Sequence, residues 1–273
     1  MNTNPHKTDA DTEPARNSGE RGFTRTDLTV LIAVIGLLVV VMLPALAGDR
    51  AVSETYRCLN NLRQLTTAWM MYSGDNSDTI CRTGGTFSGV ADPYSPSAQP
   101  GELLANWVLG IDAYSPNPDF IRNGLLYAYV RDLSIYKCPA DLKTVNGAPT
   151  LRSVSMNAWM NPINTEGQLD PDYVIFRVQP DIRNPAATWL LIDENPNSIN
   201  DGWFLARPNT FTMWRDIPAA YHRGGAGISF ADTHVEIKRW TDRIVVSQGP
   251  PLSRADPNSG DLVWLLERTT YER

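Results

Sequence analysis

The residues best equipped for chemistry lie between Asp193 and Asp201. Nine consecutive positions there hold three acids (Asp193, Glu194, Asp201), three asparagines (Asn195, Asn197, Asn200) and Ser198. All offer oxygen, and hard cations such as Ca2+ take several oxygens from loops of this kind. Calcium is therefore the cofactor this loop could carry, through Asp193, Glu194, Asn197, Asn200 and Asp201. The spacing is not that of an EF-hand, and Asx-turns account for the same composition without metal. Asp193 and Glu194 do not read as a glycosidase pair, because neighbours on a strand point to opposite faces.

A second group runs from Tyr221 to Glu236 and contains His222, Asp232 and His234. Ile228 and Phe230 alternate with Ser229 and Ala231, and Val235 and Ile237 alternate with His234, Glu236 and Lys238. That pattern predicts two half-buried strands around a tight turn. Asp232 falls at the turn and His234 on the outward face, so no metal triad forms with His222, whose expected role is to hydrogen-bond the hairpin. Thr233 follows Asp232 where a type I′ turn would favour Gly, which predicts a turn of another type. Ser229 lacks a nucleophile-elbow context. Gly224-Gly225-Ala226-Gly227 leads into a strand rather than a helix, so it cradles no phosphate. No residue reads as catalytic. Three cysteines, Cys58, Cys81 and Cys138, are too few for a disulfide scaffold. One disulfide with one thiol left over is open to them, in any pairing, and so is a buried free thiol at each position.

The elements that must position these residues begin with an uncharged run, Leu28 to Gly48. Twenty-one helical residues reach roughly 30 Å, the thickness of a bilayer core. Helices of soluble proteins seldom stay apolar on every face for that length. The run is also long for the h-region of a cleaved secretory signal, although Ala45 to Gly48 imitates a cleavage site. An ordinary signal anchor is a further reading. Beyond it, Leu59, Leu62, Leu65, Trp69 and Tyr72 recur at helical spacing, and Gly74 to Asp78 ends the helix in turn residues. Residues 82–101, rich in Gly, Ser and Pro, read as loop, Pro116 and Pro118 mark a turn, and Leu125 to Ser134 reads as a short helix or turn. Strands are predicted at Tyr173–Val178, Thr188–Ile192, Trp203–Leu205, Gly227–Ala231 and Thr233–Trp240.

The residues before the apolar run, Arg21-Gly22-Phe23-Thr24-Arg25-Thr26-Asp27, resemble the processing site of type IV prepilins and type II secretion pseudopilins. In that family a basic residue and Gly precede the cut, Phe becomes the new N-terminus, an acid stands at mature position five and a Pro kinks the helix near position 22. Gly22, Phe23, Asp27 and Pro44 occupy those places here. Arg25 stands where the family mostly has an apolar residue, and Asp27 is one methylene shorter than the usual Glu. His222 and Asp232, with nine residues between them, resemble the H-X9-DG motif near the C-terminus of a large bacterial group of prepilin-processed proteins, with Thr233 in place of Gly. The stretches from Cys58, from Cys138 to Asp141 and from Asp193 to Gly202 are similar to the same group.

The resemblance implies an α+β, pilin-like fold: a long N-terminal helix, half in the membrane and half packed on an antiparallel β-sheet domain. Residues 1–22 would be a cleaved leader, 23–48 the transmembrane half of the helix, 49–75 its packed half and 76–273 an extracytoplasmic domain. The implied partners are a prepilin peptidase, the membrane, and other pilin-like subunits through the helix. Cleavage at Gly22 would free the amine of Phe23, for methylation and for pairing with Asp27 of a neighbouring subunit. The implied work is structural, in a type II secretion or type IV pilus-type apparatus, with the cysteines facing an oxidising compartment.

Composition excludes some classes independently. In 273 residues, 42% are apolar and the formal net charge is −6. That charge argues against a nucleic-acid binder, which usually carries a basic face, and disfavours a polybasic attachment to anionic lipid. The leader is nearly neutral, so its cytoplasmic placement follows from resemblance and not from charge. Two rival readings are an anchored glycan- or peptide-binding module using tryptophans such as Trp203 and Trp214, and an anchored hydrolase around His222, Asp232 and Glu194.

Overall fold

The computed structural model describes residues 23–84, 106–109, 117–163 and 169–273, with the backbone alone over 41–50. The leader with Gly22, most of the 82–101 loop and Pro116 lie outside the described residues, and so does the side chain of Pro44 with its expected kink. Two compact units meet between Gly48 and Asp49.

Helix α1 spans Arg25–Asp75. It opens on a capping box. Asp27 donates its backbone N–H to Thr24 Oγ1 (3.2 Å), and its Oδ2 accepts from Thr24 N (2.9 Å) and Oγ1 (2.7 Å). The helix ends where Asp78 N bonds back to Ser73 O, with Ser77 and Asp78 in the left-handed region. Within the larger unit, Leu62, Leu65 and Trp69 of the expected stripe are fully buried, and Cys58 and Ala68 join them. Each such large side chain contributes about 1.5–3 kcal/mol by leaving water.

The larger unit is built on a five-stranded sheet of β3 (Val154–Asn157), β4 (Trp189–Asp193), β5 (Trp203–Phe204), β7 (Gly225–Phe230) and β8 (Val235–Arg239), in the order β5-β3-β4-β7-β8. Two short ribbons, β1–β2 (Thr144–Val145, Ala148–Pro149) and β6–β9 (Met213–Trp214, Ser253–Arg254), stand apart. Helices and sheet together make this an α+β arrangement.

The sheet is mixed and not wholly antiparallel, because β3 and β5 pair in parallel, Met156 opposite Trp203. The acidic loop after β4 carries the chain past β3, so β5 joins the far edge running the same way. The expected strand at 173–178 makes only isolated bridges, from Tyr173 to Glu272, Phe176 to Met160 and Val178 to Thr79. Strand β7 is buried at all six positions instead of at every other one, while β8 keeps the half-buried pattern. The difference arises from two cores. Cys58, Leu62, Leu65 and Trp69 of α1 share one with Met156 and Leu191, and Trp189, Phe204, Trp214 and Ile228 share the other with helix α5 (Gly260–Leu266), which follows the one-turn helices α2 (Asp119–Arg122), α3 (Tyr127–Val130) and α4 (Arg243–Val246). Helix α5, capped by Ser259 accepting from Leu262 N, was not among the expected elements.

At the tip of the β7–β8 hairpin, Thr233 N bonds Phe230 O (2.9 Å) and Thr233 has φ +80°. Asp232 keeps negative φ, so the turn is not type I′, yet Thr233 still occupies a left-handed position that Gly would fill without strain. A β-branched residue there is a genuine outlier costing on the order of 1–3 kcal/mol. Thr233→Gly is therefore expected to stabilise the domain by about 1 kcal/mol, raising Tm by about 2–4 °C. Thermal melts of both chains in detergent check this, and an unchanged or lowered Tm contradicts the strain.

Candidate metal centre

Four side chains from distant parts of the sequence converge beneath α1: Cys58, Cys138, Asp193 and His222. Their ligand atoms all lie within 4.8 Å of one another, and all four residues are buried. Among the described residues it is the one such group of three or more metal-capable side chains. Each member is placed by local structure. Cys58 sits on the buried face of α1. Cys138 follows the 3-10 turn Leu133–Tyr136, and its N–H donates to Ser153 Oγ (2.7 Å). Asp193 closes β4, opposite Val154 of β3. His222 lies in the tight turn before β7, where its backbone exchanges two hydrogen bonds with Gly225 and Arg223 and Gly224 take positive φ.

The contacts form a chain. Cys58 Sγ donates to Asp193 Oδ2 (2.9 Å), and Gly227 N donates to the same oxygen (3.1 Å). Cys138 Sγ meets His222 Nε2 at 3.2 Å, and Nε2 lies 3.8 Å from Asp193 Oδ2. On the far side of the ring, Nδ1 is 3.1 Å from Thr55 Oγ1, whose own proton is committed to Ala51 O (2.8 Å). Thr55 can then only accept, so the ring proton sits on Nδ1 and the Nε2 lone pair faces the thiols. Asp193 Oδ1 is buried with no hydrogen-bond partner.

Electrostatics keep the group nearly neutral. Burial pushes the Asp193 carboxyl up to about 7, against the Cys58 and Gly227 hydrogen bonds that lower it. The hydrogen bond with Cys138, then burial and the Asp193 charge, push the Cys58 thiol up. Cys138 is lowered by its contact with Cys58 but raised overall by burial and Asp193, and burial holds the His222 imidazole below its ordinary value.

Gly227 is the spacer. A Cβ on it would come to 2.6 Å from Leu62 Cδ1, 2.9 Å from Asp193 Oδ2 and 3.0 Å from Cys58 Sγ. The glycine lets α1 lie close enough to β7 for Cys58 to reach the carboxylate.

The other expected site residues are placed differently. Asp193 and Glu194 do face opposite ways. Asp193 joins the cluster, whereas Glu194 Oε1 accepts from Ser198 Oγ (2.8 Å), which in turn accepts from Ile217 N (3.0 Å). Asn197 N bonds Asn195 Oδ1 and Trp203 N bonds Asp201 Oδ1, both Asx-turns. Cations already hold the loop: Arg152 Nη2 donates to Asp201 O (2.5 Å) and Lys143 Nζ to Pro196 O. The expected calcium set of Asp193, Glu194, Asn197, Asn200 and Asp201 is thus not supported: its acids form no convergent group among the described residues.

His222, Asp232 and Glu194, the rival hydrolase set, are not brought together. Asp232 Oδ1 pairs with His234 Nδ1 (2.5 Å) at the hairpin tip, and the His234 ring stacks on Phe230. Trp203 and Trp214 are buried, and the Trp214 indole N–H is tied to Asp242, so neither offers a sugar platform. All three cysteines are free thiols, and Cys81 lies outside the cluster. Sequence reading marked each cluster member singly but could not join them.

Compared with protein-family models, curated proteins and solved structures, the chain shows no match to any of them.

Two outcomes are expected. Gly227→Ala should destabilise the domain by about 1–3 kcal/mol or more through overpacking, read as a lowered urea midpoint; tolerance of the methyl would show that α1 can lift away freely. The second concerns Asp216, whose Oδ2 accepts from Leu205 N (2.7 Å) and whose carboxyl is pushed up to about 8, first by burial and then by the Asp201 charge. The folded chain then keeps a proton that the unfolded chain loses near 3.8, so stability falls as pH rises from there to about 8. Asp216→Asn should flatten that slope in urea melts across the range, and an unaltered slope would contradict the assignment.

Proposed function

We propose that this chain is a membrane-anchored, pilin-like structural subunit, processed by a prepilin peptidase and built to pack through α1 into a type II secretion or type IV pilus-type assembly. One observation carries the reading: a single helix does two incompatible jobs. Within the larger unit its residues from Cys58 to Trp69 supply core. Its N-terminal stretch is exposed at every position from 23 to 40, with Ile32 61% and Leu37 66% exposed. Apolar surface on all faces of a helix calls for lipid or sibling helices.

Among the described residues no helix is long and apolar enough to cross a membrane. The apolar run of the sequence continues from 41 to Gly48, where only the backbone is described.

In this reading residues 1–22 are the leader, the cut falls between Gly22 and Phe23, and the domain lies outside the cytoplasmic membrane. The capping box places the Asp27 carboxylate against the N–H of Thr24, one residue from the amine that cleavage would expose. That position suits pairing with a free N-terminus, whether its own or a neighbour's. A net charge of −6 argues against nucleic acid as a partner.

The test is the mass of the N-terminal peptide from membrane-extracted protein, with and without a co-expressed prepilin peptidase. A chain beginning at Phe23, bare or N-methylated, only when the peptidase is present is the expected result. A retained leader, or a cut after Ala47, would overturn the proposal.

A further inference from the structure

The buried thiol–imidazole–carboxylate group has the make-up of a metal site, and we propose that Cys58, Cys138, Asp193 and His222 bind one Zn2+ in a closed, structural tetrahedron. The inference stands apart from the pilin reading and would survive its failure.

Four observations converge on it. First, the donor set is the one that zinc takes, two thiolates with one imidazole and one carboxylate, with no place left for substrate. Second, the donors are already near the right geometry. Zinc distances of about 2.0–2.3 Å set the edges of a ligand tetrahedron at roughly 3.3–3.8 Å. Three of the six edges are 2.9, 3.2 and 3.8 Å, within about half an ångström of that range, and all six lie within 4.8 Å. Third, His222 presents a lone pair inward because Thr55 fixes the ring proton on Nδ1, the outer-shell arrangement typical of metal-bound imidazoles. Fourth, Asp193 is a fully buried acid whose Oδ2 faces the other three donors while its Oδ1 has no hydrogen-bond partner, so its charge is under-compensated without a cation.

A Cys58–Cys138 disulfide fits less well. It needs an external two-electron oxidant, and it removes both S–H donors. The Nε2 lone pair of His222 would then lose its partner, and Asp193 would keep only the Gly227 N–H.

The proton balance is simple. Zn–S bonds form at Cys58 and Cys138 as their two S–H bonds break, and both protons leave to solvent. His222 contributes the Nε2 pair and keeps its Nδ1 proton, and Asp193 binds as the carboxylate. Nothing is oxidised or reduced. The bound group carries a net charge of −1, with the Gly227 N–H still donating to Asp193. A cleft of about 310 Å3 is lined by Thr55, Tyr221, His222 and Arg223 and reaches the His222 member of the group. The ion would join four chain segments: the α1 spine, the turn after Tyr136, the end of β4 and the turn before β7.

The test uses the full-length chain purified in detergent without chelator. Elemental analysis should find about one zinc per chain. Cys138→Ser and His222→Ala should each lower that content at least ten-fold, while Cys81→Ser, outside the cluster, should leave it unchanged. Should those variants misfold, Co2+ replacement of zinc in the wild-type chain decides the matter, since two thiolate ligands give intense sulfur-to-cobalt charge-transfer bands in a tetrahedral spectrum. The proposal is overturned if the Cys58 and Cys138 peptides are recovered disulfide-linked, if zinc is absent and Co2+ gives no such bands, or if the zinc content ignores the Cys138 and His222 substitutions.

Discussion

The missing side chain at Gly227 is the constraint on which the larger unit depends. Strand β7 runs under α1, and any Cβ at that point would lie within 3.0 Å of Leu62, Asp193 and Cys58 at once. Because the methyl is absent, helix and strand come close enough for two things. Leu62 and Leu65 are sealed from water, and the backbone N–H of Gly227 reaches the Asp193 carboxylate. A glycine in a strand weakens it on its own account. Here the lost propensity is offset by the burial that the close approach allows.

That close approach brings polar groups into the core, and their burial has to be compensated in detail. Arg152 is buried and spends its guanidinium on Val154 O, Ser155 Oγ and Asp201 O, which ties the acidic loop to β3. Glu194 is buried with Ser198, and Asn157 donates to Trp189 O and Thr269 O, joining β4 to the C-terminal segment. Compensation is incomplete at both buried acids, since Asp193 Oδ1 and Glu194 Oε2 each lack a donor. In a low-dielectric interior a half-satisfied network is costly, and of the two acids only Asp193 has two thiols and an imidazole converging beside it.

Helix α1 links these interior matters to the environment. From Cys58 to Trp69 its buried face is shaped to the sheet, with small Ala68 beside large Trp69. From 28 to 40 it has no such face, and aliphatic residues look outward all round. Helix propensity is indifferent to this change, and the continuity of α1 reflects the local backbone. The two surroundings reflect side-chain chemistry alone.

Periodicity and local chemistry were enough to locate the apolar run, the packed stripe of α1, its end near Gly74, the β7–β8 hairpin and the Asx-turns of the acidic loop, because each is decided within a few residues. They could not show that β5 pairs in parallel, that β7 is covered on both faces or that α5 closes the second core, since those depend on which surface meets which. The candidate centre is the extreme case. Cys58 is 135 residues from Asp193, and Cys138 is 84 from His222, so no spacing rule could join them. Only the tertiary structure decides that Asp193 faces thiols while Glu194 faces a serine. The reason is steric: a glycine at 227 leaves room on one face of β4 for α1 to press its cysteine against the acid.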